Sequence, residues 1–147
     1  MKTKLYVAYG SNLNTAQMAN RCPTATVYGK GYIDDYELIF RRVATIDKKA
    51  KSRVPVGIWE IHPRDEMALD RYEGYPHLYR KETITVNMGK EQVEAMVYIM
   101  NETQGRYALP HKTYYDTIDV GYKDIGLDIR YLQNAVVRTA EKMEGKE

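Results

Sequence analysis

Two carboxylates three positions apart close an apolar helix pattern in Leu69-Asp70-Arg71-Tyr72-Glu73-Gly74-Tyr75-Pro76. That spacing puts Asp70 and Glu73 on one helical face. Glu73 falls in the last turn, where the helix dipole disfavours negative charge, and Tyr72, Tyr75 and Tyr79 lie close in sequence. An aromatic pocket would raise a carboxyl pKa there, which suits a general acid/base working near neutrality. The same residues also fit a solvated helix-end glutamate paired with Arg71 or Arg80. On spacing alone Asp70 is an equal candidate for the acid/base.

A second stretch carries chemistry of another kind. In Lys4–Leu13 the apolar run Leu5, Tyr6, Val7, Ala8 stops at Tyr9-Gly10-Ser11-Asn12, and a helix start follows at once. Gly10 lets backbone approach a ligand closely, and Ser11, Asn12 and Asn14 can serve free backbone N–H groups. Unpaired amides at a helix start point outward together, so such a loop can hold an anion. An ordinary strand–turn–helix corner has the same pattern; a second site that needs an anion here would separate the two. Other chemistries are poorly supported. Cys22 precedes Pro23 at a helix end without a nucleophile signature, and Ser11 lacks the G-x-S-x-G context. Neither G-x-G-x-x-G nor the P-loop pattern occurs. His62, His77 and His111 are far apart and Cys22 is the lone cysteine, so neither metal nor cofactor is expected.

The 147 residues suit a single domain spanning 1–147. No apolar run approaches ~18 residues, so no membrane partner is expected. No signal-peptide segment precedes the first strand, and a cytoplasmic location is the default. A formal net charge of +2 gives no reason to expect a nucleic-acid partner. The run Arg41, Arg42, Lys48, Lys49, Lys51 and Arg53 reads as a solvated hairpin tip, with a docking patch for a nucleic acid or an acidic partner as the alternative. Fourteen Tyr stand against one Phe and one Trp, so many buried hydroxyls must find partners or line a wet cavity. A tyrosine-rich surface is also compatible with a homodimer.

The pattern predicts a short helix from Asn14 to about Arg21, then strands over Thr24–Tyr32 and Tyr36–Arg42 separated by an Asp34-Asp35 turn. Val54–Ile61 is a strand whose Pro55 and Gly57 mark an edge or a bulge. Pro63 opens the helix that ends at Gly74. Tyr79–Val86 and Val93–Met100 form a hairpin around Gly89. A helix over Lys112–Val120 is capped by Gly121, and a last helix starts at Asp128. Five to seven strands interrupted by helices predict an α+β fold: a small mixed or antiparallel barrel with a helical C-terminus.

Taken together, Tyr9-Gly10-Ser11-Asn12-Leu13 after the first strand, Arg21, Tyr36–Phe40, Gly57, Leu69-Asp70-x-x-Glu73-Gly74, Tyr79, Val97-Tyr98 and the tail Tyr114…Gly121…Gly126-Leu127…Tyr131-Leu132 resemble the γ-glutamylcyclotransferase-like family (AIG2-like) over nearly the whole chain. The resemblance implies a cofactor-independent enzyme that turns a γ-glutamyl compound into 5-oxoproline and releases the amine. It implies that Tyr6, Tyr9, Gly10, Ser11, Asn12 and Leu13 bind the γ-glutamyl moiety, chiefly its carboxylate through backbone amides. It makes Glu73 the catalytic general acid/base, Asp70 structural, and Tyr79 and Tyr114 pocket-lining. A non-catalytic member that binds an acidic or γ-glutamyl-like small molecule is the alternative. The glutathione-specific and isopeptide-specific branches carry other residues where this chain has Ser11-Asn12. Loops Tyr75–Leu78 and Asn101–Pro110 are expected to line the part of the pocket that holds the amine.

Overall fold

The computed structural model describes residues 2–102 and 105–145. Thr103 and Gln104, inside the expected Asn101–Pro110 loop, lie outside the described residues. Five strands close into a barrel in the order β1-β3-β2-β4-β5, with β1 at Lys4–Ala8, β2 at Thr26–Arg41, β3 at Val43–Ile61, β4 at Tyr79–Asn87 and β5 at Gln92–Met100. Four α-helices complete an α+β fold: α1 at Thr15–Arg21, α2 at Pro63–Glu73, α3 at Lys112–Ile125 and α4 at Ile129–Met143. None is long and apolar enough to cross a membrane. All ladders are antiparallel except β1–β5, where Tyr6 faces Met96 and Val7 faces Val97. β1 sits between β3 and β5, and Tyr6, Val7 and Ala8 are all buried. A strand covered on both faces reads as a continuous apolar run instead of an alternating one.

The longest strands differ from their sequence pattern. Thr24–Tyr32 and Tyr36–Arg42 are one strand, β2, because Asp35 (φ 64) makes a bulge and not a turn. The register shifts between Asp34 and Tyr36, and Asp35 Oδ1 accepts the Lys51 N–H at 3.0 Å. Such a bulge adds twist, which lets a long hairpin curl around a small barrel. The hairpin reverses at Arg42 (φ 72), so Lys48, Lys49, Lys51 and Arg53 are not a loop; they lie exposed along β3. Pro55 is tolerated because it falls beyond the last β1 partner of β3, the Ala8–Gly57 pair.

α4 is fastened to β2 by a buried acid. Glu37 receives Arg138 at 3.1 Å and Lys142 at 3.4 Å, and Thr139 Oγ1 accepts the Phe40 N–H at 3.0 Å. α3 runs through Gly121 and ends at Gly126 (φ 83), five residues beyond the expected cap. Gly121 serves a close approach instead. A Cβ there would stand 2.7 Å from the Asn14 nitrogen and 2.7 Å from the Leu13 carbonyl carbon. Because both are backbone atoms, neither can swing aside. Gly121→Ala should therefore destabilise the fold by about 1–3 kcal/mol, the usual range for overpacking a close contact. Urea unfolding would measure it, and an unchanged midpoint would refute the contact.

Candidate active site

The loop after β1 is built as a tight 3₁₀ turn, Ser11–Leu13, preceded by Gly10. Leu13 N–H donates to Gly10 O and Asn14 N–H to Ser11 O, each at 3.0 Å. Asn14 then caps α1 by accepting the Gln17 N–H, while its Nδ2 donates to Thr117 O on α3. The first amides of a helical turn have no partner within it. Among the described residues, no backbone bond outside the regular elements starts at Gly10, Ser11 or Asn12. Gly10 also admits a close neighbour: a Cβ on it would lie 3.2 Å from the Ala44 Cβ and 3.5 Å from the Tyr114 hydroxyl.

Asn12 is held at every polar atom of its side chain and at its carbonyl. Its Oδ1 accepts from Arg21 Nη1, its Nδ2 donates to the Tyr6 hydroxyl at 2.9 Å, and its backbone oxygen accepts the Trp59 indole N–H at 3.0 Å. The Arg21 guanidinium lies 3.5 Å over the Tyr72 ring, and the Tyr72 hydroxyl pairs with Ser11 Oγ at 2.7 Å. α1 and α2 thus grip the loop from one side through a single arginine.

Tyr6, Val7, Tyr9, Gly10, Ser11, Asn12, Val43, Ala44, Tyr72, Glu73, Leu78, Tyr79, Tyr98 and Tyr114 enclose one cavity of about 250 Å³. The loop and Glu73, distant in sequence, therefore face the same space. Leu13 departs from the expectation. It is fully buried, packs toward Gly57 and spends its amide on Gly10, so it supports the loop from behind. Of the segments expected around the amine, Leu78 lines the cavity but Tyr75 does not. None of the described residues of Asn101–Pro110 does; Ala108 instead bonds to the β2–β3 tip. Val7, Val43, Ala44, Tyr72 and Tyr98 line the cavity without being among the residues expected there. Tyr72 is legible as a sequence neighbour of Glu73, and Tyr98 only through the family resemblance, in which Val97-Tyr98 takes part. Val43 and Ala44 carried no signal, because the hairpin tip sits beside the site only once β2 is continuous.

The structure also separates the two carboxylates. Asp70 accepts the Tyr98 hydroxyl at 2.6 Å and pairs with Lys81 at 2.9 Å, so its charge is neutralised and its position fixed. Glu73 makes no hydrogen bond or ion pair among the described residues. Removal from water pushes its pKa up to about 7, with the Arg21 charge acting in the opposite direction. Cys22, by contrast, is buried and its thiol is pushed up to about 11, chiefly by burial, which leaves little thiolate near neutrality. Among the described residues no three His, Cys, Asp or Glu side chains form a group that could hold a metal ion.

The tyrosine hydroxyls divide into two kinds. Tyr9 donates to Tyr98 O and Tyr79 donates to Ala44 O, each at 2.6 Å. Tyr114 instead accepts the Ala44 N–H at 3.0 Å, and Tyr6 accepts from Asn12. A hydroxyl that accepts from an N–H still has its own proton to give.

A five-stranded barrel with this loop and carboxylate facing one cavity defines a class of small enzyme-like domain, and comparison with known proteins identifies it. The sequence matches the family described as "Gamma-glutamyl cyclotransferase, AIG2-like" over residues 6–116, and the chain belongs to that family. It is 28% identical to the γ-glutamylcyclotransferase of Bos taurus over 142 residues, which cover 86% of this chain and 74% of that protein. The Homo sapiens γ-glutamylcyclotransferase is 27% identical with the same coverage. Among solved structures, one titled "Gamma-glutamyl cyclotransferase" superposes with a TM-score of 0.81 at 24% identity, covering 91% of this chain and 86% of that one. An AIG2-like protein from Mus musculus gives 0.60 at 16% identity, covering 71% and 81%. These likenesses establish the barrel as the family fold.

The burial of Glu73 has a measurable consequence for stability. Between pH 4.5, its ordinary value, and about 7, the folded chain keeps a proton that the unfolded chain has released. Stability from this group is therefore present at low pH and lost as pH rises through 7. At ~1.36 kcal/mol per unit the loss is at most about 3 kcal/mol, an upper bound because water can enter the cavity. Glu73→Gln should be more stable than the wild type at pH 8 and equal to it below pH 4.5. Urea midpoints at the two pH values test this, and a gap that does not change with pH would contradict it.

Proposed function

We propose that the cavity catalyses conversion of a γ-glutamyl amino acid or amine to 5-oxoproline and the free amine. The observation that carries this reading is the pairing, in one cavity, of an unpartnered carboxyl poised near pH 7 with three unengaged backbone amides. The α-carboxylate of the γ-glutamyl group would rest on the Gly10–Asn12 amides, beside the Tyr114 hydroxyl. Ionised Glu73 would take a proton from the α-ammonium, and the freed amine nitrogen would attack the γ-carbonyl carbon. The tetrahedral intermediate would then expel the original amine, which takes the proton held by Glu73 and, by way of the same carboxylate, the second proton shed by the ring nitrogen; the amine leaves as an ammonium and the five-membered lactam remains. Every atom of the substrate appears in the two products, and Glu73 ends as it began.

Such a reaction needs little beyond positioning and proton transfer. Holding a chain folded for intramolecular attack can supply roughly 7–11 kcal/mol of the barrier. A base poised near the working pH can contribute about 10²–10⁴-fold more. The cavity lies just below the usual volume of small-molecule sites, roughly 300–1,000 Å³, which suits a γ-glutamyl group whose amine portion extends outward. Its Val43, Leu78 and Tyr72 wall offers that portion an apolar path.

Purified protein incubated with a panel of γ-glutamyl amino acids and γ-glutamyl amines should release 5-oxoproline from at least one. Silence across the panel at high enzyme concentration would reject the reaction. Glu73→Gln should remove turnover while leaving substrate affinity within a few-fold. If Asp70→Asn were the inactive variant and Glu73→Gln remained active, the acid/base assignment would be wrong. Ser11→Ala, which loses only the bond to Tyr72, should raise KM more than it lowers kcat.

A further inference from the structure

The Tyr6 hydroxyl takes no part in the proton transfers just described, yet its surroundings fix the direction of its hydrogen bond. Arg21 carries donors only, so the Asn12 side-chain atom facing it must be the oxygen. The amide nitrogen must then face Tyr6, at 2.9 Å. An amide nitrogen only donates, so Tyr6 accepts, and its own proton turns elsewhere. No acceptor for that proton exists among the described residues, and the ring borders the cavity. The orientation of the amide is therefore dictated by the chemistry of the arginine.

We propose that Arg21 is a positioning residue which, through Asn12, aims the Tyr6 hydroxyl as a hydrogen-bond donor at the γ-carbonyl oxygen of the substrate, where negative charge gathers as the ring closes. The inference rests on the cyclisation reading above. Placement favours the carbonyl over the carboxylate. The Tyr114 hydroxyl, another with a proton to give, stands by Gly10 and so belongs to the amide cradle, and the Ser11–Tyr72 pair, which spends one of its two protons on itself, lies on the loop as well. Tyr6 stands toward the α2 end: its ring packs edge-on against Tyr98 at 5.8 Å between centroids, and Tyr98 donates to Asp70, one turn before Glu73. Burial, with the Glu73 charge second, raises its hydroxyl pKa well above the ordinary value. That raised pKa keeps Tyr6 protonated, so it remains a donor throughout the working range. Arg21 also holds Tyr72 and, through it, Ser11, which ties the donor and the cradle to one anchor.

Asn12→Asp separates this relay from simple loss of structure. It keeps size and retains an acceptor for Arg21, but the new carboxylate cannot donate, so Tyr6 would turn its proton back to position 12. Tyr6→Phe removes the donor itself. With the substrate that gives wild-type turnover, each variant should lower kcat by about 10²–10³-fold, the usual effect of removing one oxyanion donor, with KM changed only a few-fold. The double variant should be no slower than the worse single one. Arg21→Lys, which keeps a donor for the Asn12 oxygen, should retain most of the rate that Arg21→Met loses. Wild-type kcat in Tyr6→Phe, or losses that multiply in the double variant, would overturn the proposal. A second measurement does not depend on turnover. In ¹⁵N-edited NMR spectra the Asn12 side-chain amide protons should be shielded from exchange, and should become exchangeable in Arg21→Met. Rapid exchange in the wild type would overturn the relay even if the protein is active. Shielded protons in a protein that yields no 5-oxoproline would uphold the Arg21–Asn12–Tyr6 geometry and overturn the carbonyl as its target.

Discussion

Taking a carboxyl out of water without a hydrogen-bond partner works against folding, and the chain keeps Glu73 in that condition at the end of α2. The rest of the site is arranged so that this side chain is not satisfied. Asp70, one turn earlier, absorbs the nearby Lys81 charge and the Tyr98 hydroxyl, while Glu66 receives Lys81 and Lys4. Arg21 could have paired with Glu73 but is spent on Asn12, Gln17 and the face of Tyr72. Arg21, the cation whose charge acts on Glu73, is committed elsewhere, and burial holds the pKa of Glu73 up at about 7.

The second constraint is that tyrosine hydroxyls must be satisfied without closing the cavity. Ala44 provides for two of them from the backbone of one residue, its carbonyl accepting from Tyr79 and its N–H donating to Tyr114. Tyr9 is settled on the Tyr98 carbonyl. These bonds fix the rings as rigid walls. They also explain why the chain can use so many phenols around one small cavity: backbone groups near a strand tip supply the partners that side chains do not.

Much of this was legible in the residues. The apolar run into Tyr9-Gly10-Ser11-Asn12 predicts a strand entering a tight loop, and Pro63 and Gly74 bracket α2 to the residue. Asp128 marks the start of α4 in the same way. What could not be read is long-range. Asp34-Asp35 has turn chemistry, and only the partner strand, with Lys51 donating to Asp35, makes it a bulge. Gly121 resembles a helix stop, yet it is a point of contact with a loop more than a hundred positions earlier. The distinction between Asp70 and Glu73 depends on Lys81 and Tyr98, which come from β4 and β5 and have no spacing relation to either acid. In the folded chain one carboxylate, Asp70, is engaged and the other, Glu73, faces the cavity.

The contact at Gly121 also bears on the order in which the molecule becomes functional. The Gly10–Asn14 loop is synthesised about a hundred residues before α3, yet its backbone rests on that helix, and Asn14 reaches across to Thr117 on it. Loop closure over that span must precede the reward of contact, so the support arrives late in folding. A nascent chain can therefore hold the cradle's residues without holding their shape until α3 has emerged to support them.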